Sequence, residues 1–230
     1  MKKIVFLTGT RADYGKIKSL LKVLSNSKKF EVYIYVTGMH MLSKYGNTYI
    51  EILKDGFTNV YLEKNILETD KMDIALSDSI KKFSNYIDIV KPDLIVVHGD
   101  RIEAFAGAIV GAFNNIRIAH IEGGEISGTI DESTRHAISK FAQFHFVANE
   151  EAKNRLIQMG ENRKNIYVIG SPDIDIMLSD ELPTLKVVKE KYDIKFDKYA
   201  IVMYHPVTTE ISKIEENVNN LVSFLENSIK

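Results

Sequence analysis

The chain has 230 residues, 45% of them apolar and 27% charged, with 30 basic against 31 acidic side chains and a net charge of −1. That composition is globular rather than disordered, calls for no nucleic-acid partner, and at roughly 150 residues per domain allows one to two domains. With no Cys in the sequence, disulfides, thiolate metal sites and a Cys nucleophile are excluded. The longest apolar run, Ala104 to Phe113 with its glycines, falls far short of the ~18 residues of a membrane span. Met1-Lys2-Lys3 passes straight into Ile4-Val5-Phe6-Leu7, a run too short for a signal-peptide core. The expectation is a soluble, cytoplasmic protein with no membrane partner.

Short apolar runs predict strands at Ile4 to Thr8, Val32 to Val36, Leu94 to Val97, Ile116 to Ile121, Phe144 to Val147 and Ile166 to Ile169. Most lack polar alternation, which points to a sheet covered on both faces. Helix-period segments lie between them at Tyr14 to Ser25, Lys71 to Val90, Ile102 to Phe113, Glu132 to Phe141 and Glu150 to Met159. This alternation predicts right-handed crossovers and an α/β fold with a Rossmann-like, doubly wound parallel sheet. Gly170-Ser171-Pro172 reads as a turn that closes this domain, 1–172. A polar connecting segment follows over 173–195, broken by Pro183. Residues 196–230 then read as the start of an incomplete second Rossmann-like domain. They hold an apolar strand at Tyr199 to Tyr204 and a helical stripe of Ile211, Ile214, Val218, Leu221, Val222 and Leu225, too little to bury a core alone.

In open α/β sheets ligands sit at the carboxyl ends of the strands. The first strand ends in Thr8-Gly9-Thr10-Arg11-Ala12-Asp13-Tyr14-Gly15-Lys16. This fits neither a dinucleotide fingerprint nor a P-loop. A glycine turn entering a helix still suits an anion, with Arg11 as a charged fork; a plain strand-to-helix turn is the alternative. Two later strands end in His98-Gly99-Asp100-Arg101 and His120-Ile121-Glu122-Gly123-Gly124-Glu125. Neighbouring strand ends would bring Asp100 and Glu122 together, and paired carboxylates divide acid and base roles between them. The plainer readings make Asp100 a helix N-cap and Glu122 a solvated loop residue. Metal binding by the two H-x-[DE] pairs is disfavoured, because no compact ligand set appears. Thr129-x-x-Glu132 fits a capping box, and Asp131 with Arg135 fits an i, i+4 ion pair. His205, before Pro206, reads as structural apart from its place in the second unit.

Taken together, Gly9-Thr10-Arg11-Ala12-Asp13-Tyr14-Gly15-Lys16, His98-Gly99-Asp100-Arg101, His120-Ile121-Glu122-Gly123-Gly124-Glu125, Gly128-Thr129-Ile130-Asp131-Glu132-Ser133-x-Arg135-His136, Gly170-Ser171-Pro172 and His205-Pro206-Val207-Thr208-Thr209-Glu210 closely resemble the hydrolysing UDP-N-acetylglucosamine 2-epimerases. The match is collinear over nearly the whole chain. The Ala-Asp-Tyr-Gly-Lys after Arg11 is similar to the hydrolysing branch, whereas non-hydrolysing members usually continue with Pro-Glu.

The resemblance implies the N-terminal half of a glycosyltransferase-B-type two-domain fold with its active site in the interdomain cleft. It implies that UDP-N-acetylglucosamine and water give N-acetylmannosamine and UDP, through loss of UDP to 2-acetamidoglucal and rehydration, for sialic acid synthesis. The implied catalytic residues are Asp100, Glu122, Asp131 and His205. The implied substrate-binding residues are Arg11, Lys16, Arg135, Gly170 and Ser171. No metal or redox cofactor is implied, and a homo-oligomer is left open. The family's second domain is far longer than the 35 residues from Phe196 onward, so the chain reads as a fragment, expected to bind UDP weakly and turn over little alone. Other readings are the same chemistry on UDP-2,4-diacetamido-2,4,6-trideoxyglucose, a glycosyltransferase of the same fold, and a non-catalytic module that pairs through the stripe Ile211 to Leu225.

Overall fold

The computed structural model describes residues 1–65, 71–180, 182–204 and 212–228. Its contacts divide the chain into two units, Met1–Leu182 and Pro183–Lys230. The first unit is built on β1 (Lys2–Thr8), α1 (Arg11–Ser25), β2 (Phe30–Val36), α2 (Tyr49–Lys54), β3 (Val60–Leu62), α3 (Met72–Val90), β4 (Leu94–His98) and α4 (Ile102–Phe113). It continues through β5 (Arg117–Ile121), α5 (Ile130–Phe141), β6 (Phe144–Val147), α6 (Glu150–Gln158), β7 (Ile166–Val168) and α7 (Asp173–Met177).

The sheet has seven strands in the order β3-β2-β1-β4-β5-β6-β7, and every pairing is parallel. Right-handed crossovers then place α1 and α2 on one face and α3 to α6 on the other. The core follows the pleat of the strands. Val5 and Leu7 pack with Phe83, Ile87, Ala104, Ala108 and Ile138 of α3, α4 and α5. Ile4 and Phe6, their neighbours in β1, pack with Tyr14, Ile17, Leu21 and Ile52 of α1 and α2. An unbroken apolar run thus serves two faces because successive side chains point in opposite directions. Pro92 and Asp93 separate α3 from β4, and Asp93 accepts from the Lys3 backbone N–H at 2.8 Å, fixing where β4 enters beside β1.

The chain leaves β1 toward β2 on one side, whereas β4 lies on the other. This reversal opens a crevice at the carboxyl ends of β1 and β4, where α/β sheets place ligands. Among the described residues no helix is long and apolar enough to cross a membrane.

The second unit contains α8 (Leu185–Lys191) and α9 (Ile214–Ser228). The strand expected at Tyr199 to Tyr204 does not form; those residues are irregular, with Ile201 and Met203 81% and 72% exposed. A strand exists only when its N–H and C=O groups meet a neighbour, and no described residue offers that ladder. The expected helical stripe is present from Ile214 onward, with Val218 and Val222 exposed, and Ile211 lies outside the described residues.

Candidate active site

The turn after β1 is closed by its own carboxylate. Thr10 caps α1, its Oγ1 accepting from the Asp13 N–H at 3.2 Å, while the Asp13 carboxylate accepts from the N–H groups of Gly9 and Thr10, both at 2.9 Å. The Thr8 hydroxyl donates to Asp13 at 2.6 Å and accepts from buried His40 Nε2 at 3.0 Å; His40 Nδ1 accepts from the Thr48 hydroxyl at 2.7 Å. Burial lowers the pKa of His40, so the ring is neutral and this direction of donation is the consistent one. The Gly9 and Thr10 N–H groups are thus committed to Asp13, so these two backbone donors of the turn are not open to an anion. Arg11 stands exposed at the first position of α1.

β4 and β5 run in register, with His98 opposite Ile121. Their ends therefore bring Asp100 and Glu122 out on neighbouring turns. Glu122 is the hub. Its Oε2 takes Lys16 Nζ at 2.6 Å and His98 Nε2 at 3.1 Å, and its Oε1 accepts from the Ser171 hydroxyl at 2.9 Å. Lys16 also lies 3.5 Å from Asp173. The Glu122 backbone has φ of +59°, a left-handed conformation that costs a non-glycine residue about 1 kcal/mol and is stored most often at functional sites. It ends β5 while the Glu122 N–H still bonds the Phe146 carbonyl at 2.8 Å. Burial would push this carboxyl up, but the hydrogen bonds and charges of His98, Lys16 and Ser171 outweigh it and hold the group at about 2. Glu122 is no solvated loop residue; it is an ionised, half-buried carboxylate with three donors. Burial alone would lower the Lys16 ammonium, and Glu122 and Asp173 together raise it.

Asp100 does not cap α4, whose N-cap position is Arg101. Its carboxylate instead pairs with Arg135 of α5, both half-buried. The i, i+4 spacing predicts Asp131 for Arg135, but α5 turns Arg135 toward the end of β4. Asp131 remains exposed on the first turn of α5, where its carboxylate accepts from the Thr129 hydroxyl at 3.4 Å. The capping box expected at Thr129 and Glu132 is also rearranged. Thr129 Oγ1 accepts from the Asp131 N–H at 3.3 Å, while Glu132 reaches past Thr129 to the N–H groups of Ser127 and Gly128, at 2.8 and 2.7 Å. Gly170 has φ of +77°, a turn that presents Ser171 to Glu122 and that a side chain would strain. His205 lies outside the described residues.

The structure therefore gathers Glu122, Lys16 and Ser171 in one cluster and Asp100 with Arg135 in a second on the adjoining strand end. Asp131 and Arg11 stand exposed beside them in chain order, with no ion pair among the described residues. His98 and Asp173, which join the Glu122 cluster, were visible in the sequence only as motif neighbours. His120 is a further supporting residue. Fully buried, it donates from Nε2 to the Gly99 carbonyl at 2.7 Å and accepts at Nδ1 from the Ser139 hydroxyl at 3.0 Å. This fixes the turn that carries Asp100, and burial lowers the ring's pKa to about 3. Among the described residues no group of three or more His, Asp or Glu side chains could hold a metal ion.

Comparison with known proteins gives a consistent picture. A family model described as UDP-N-acetylglucosamine 2-epimerase matches residues 22–230. A UDP-N-acetylglucosamine 2-epimerase of Neisseria meningitidis is 50% identical over 210 residues, covering 91% of this chain and 56% of the relative. A UDP-N,N'-diacetylbacillosamine 2-epimerase (hydrolyzing) of Legionella pneumophila is 37% identical over 226 residues, covering 96% of this chain and 60% of the relative. The crystal structure of Methanocaldococcus jannaschii UDP-GlcNAc 2-epimerase in complex with UDP-GlcNAc and UDP superposes with a TM-score of 0.81 at 21% identity, over 100% of this chain and 64% of that one. The fold is thus the N-terminal half of a glycosyltransferase-B-type architecture, and the chain spans little more than half the length of the curated relatives it matches.

Proposed function

The chain belongs to the UDP-N-acetylglucosamine 2-epimerase family, and from that premise we propose that its strand-end site serves the hydrolysing reaction, in which UDP-N-acetylglucosamine and water yield N-acetylmannosamine and UDP in a cytoplasmic route to sialic acid. The C1–O bond to UDP breaks as the C2 proton is removed, giving 2-acetamidoglucal. Water then supplies hydroxyl to C1 and a proton to C2 on the opposite face. In this reading residues 1–172 form the sugar-facing domain, 173–195 connect, and 196–230 open a second domain.

The observation that carries the reading is the pair of carboxylates on adjoining strand ends, each already matched to a cation: Glu122 to Lys16 and Asp100 to Arg135. Loss of UDP builds positive charge at C1, as in glycoside cleavage. A carboxyl held at about 2 is a poor proton donor at neutral pH and a good partner for that charge, so Glu122 takes the stabilising role. Asp100, oriented by Arg135, and Asp131 are then left to take and return the C2 proton. Arg11, Lys16 and Arg135 supply positive charge toward the diphosphate and the carboxylates. Gly170 and Ser171 shape the wall beside Glu122, and His205 assists the departing diphosphate.

The test is turnover of UDP-N-acetylglucosamine in deuterated, oxygen-18 water by the chain extended to its relatives' length. Free N-acetylmannosamine with deuterium at C2 and heavy oxygen at C1 is the expected product. A C2 epimer that retains UDP would show the non-hydrolysing reaction instead. A product without C2 deuterium would point to simple transfer or hydrolysis.

A further inference from the structure

Beneath the β1 turn lies a carboxyl that the reaction just described does not use. Glu103, in the first turn of α4, is 1% exposed, and neither of its carboxyl oxygens has a hydrogen-bond partner among the described residues. It is wedged under two glycine turns. A Cβ at Gly9 would come within 2.8 Å of its carboxyl carbon, and one at Gly38 within 2.4 Å of an oxygen. Gly38 has φ of +61°, so both shape and backbone reserve the position for glycine. Native proteins rarely leave a buried polar atom unmatched, and such an atom calls for an explanation.

One group stands ready to match it. Arg101 Nε lies 3.6 Å from Glu103 Oε2, just beyond hydrogen-bond length, and is itself buried without a partner. The Arg101 side chain as a whole is 41% exposed. Its Nε edge is therefore turned inward to Glu103, and the exposure lies with the rest of the side chain at the carboxyl end of β4. Burial pushes the Glu103 carboxyl up, Arg101 pulls it down, and Asp13 on α1 adds to the upward push. His40, on the Gly38 turn after β2, is neutral for the reason given above.

We propose that Glu103 is a positioning residue whose buried carboxyl clamps the Nε edge of Arg101 and so aims the outer edge of the guanidinium at the strand-end crevice. A guanidinium held by one edge presents the other as a fork for a planar or tetrahedral anion. Asp13 already holds the Gly9 and Thr10 N–H groups of the neighbouring turn, and a side-chain cation held in this way adds a charged donor for a diphosphate. The ligand class rests on the nucleotide-sugar reading above; the clamp rests on the geometry alone.

The test uses the chain extended to its relatives' length, with UDP as the probe. The Nε–H resonance of Arg101 is identified in ¹⁵N spectra by its loss in Arg101→Gln. In the wild type it should exchange slowly with water, and Glu103→Gln should shift it and speed the exchange by about tenfold. UDP affinity should fall about tenfold, the scale of one charge-assisted contact, in Glu103→Gln and equally in Arg101→Gln. The double variant should lose no more than either single one, because two residues acting as one unit are not additive. Glu103→Asp, which keeps the charge, should recover part of the loss. A merely structural Glu103 would give additive losses and leave the Nε–H signal in place, and that result overturns the proposal. If Glu103→Gln fails to fold, Arg101→Gln decides: unchanged UDP affinity in it overturns the proposal. Wild-type chain that shows no response to UDP, while Glu103→Gln still moves the Nε–H signal, supports the clamp and refutes the nucleotide reading.

Discussion

Replacing Glu122 with Gln tests the central feature of the site, because it removes the charge while keeping the shape. In the folded chain the carboxyl is held at about 2 against an ordinary 4.5. The difference corresponds to about 3 kcal/mol of stability at neutral pH, at 1.36 kcal/mol per pH unit. A depressed carboxyl stabilises the fold above its unfolded value and stops doing so as pH falls toward its folded value. Of that contribution about 1 kcal/mol should be gone at pH 4 and about 2 kcal/mol at pH 3. Urea unfolding of wild type and Glu122→Gln at pH 7, 4 and 3, followed by circular dichroism, reads the difference directly, since other acids titrate in both chains. The gap between the two proteins should shrink by these amounts as pH falls. Parallel curves, with a gap independent of pH, would show that Lys16, His98 and Ser171 do not hold an ionised carboxylate.

Two further outcomes follow from the neighbouring contacts. His120, fully buried and lowered to about 3, should show no titration of its ring signals by NMR between pH 8 and pH 5, and a midpoint near the ordinary value would contradict the neutral ring assigned here. The sign is that of a histidine buried neutral: the unfolded chain takes up the proton first, so stability falls as pH drops below 6.5 toward 3. Arg135→Met should destabilise the chain by about 2 kcal/mol, because it leaves the half-buried Asp100 without its partner, and adding Asp100→Asn should recover part of that loss; equal stability of all three proteins in urea would remove the pair from the site.

The apolar runs carried most of the fold because the strands of a two-faced sheet are apolar along most of their length, and such strands give a nearly unbroken signal. β3, with three residues, and α2, with six, are too short for any periodicity to register. The run Tyr199 to Tyr204 shows the opposite failure: its composition suits a strand, but strand formation depends on a neighbour that composition does not encode. The site was legible as motifs but not as partners. Local spacing favours Asp131 for Arg135 and Thr129 for Glu132, yet packing of α5 against the sheet sends Arg135 to Asp100 and lets Glu132 reach Ser127 and Gly128. The left-handed backbone at Glu122 has no sequence signature at all, since the residue there is not glycine.

The partner choice matters for what the site can do. Each strand-end carboxylate is already matched to a cation, so an anionic ligand held by Lys16 or Arg135 must share that cation with Glu122 or Asp100. For Glu122 the balance is explicit. Burial alone would raise it, and His98, Lys16 and Ser171 together bring it down. Any ligand that draws Lys16 away therefore lets burial act less opposed, and the carboxyl rises toward the range in which it can hold a proton. The contacts that keep Glu122 ionised in the free chain are the same ones that set how far binding can move it.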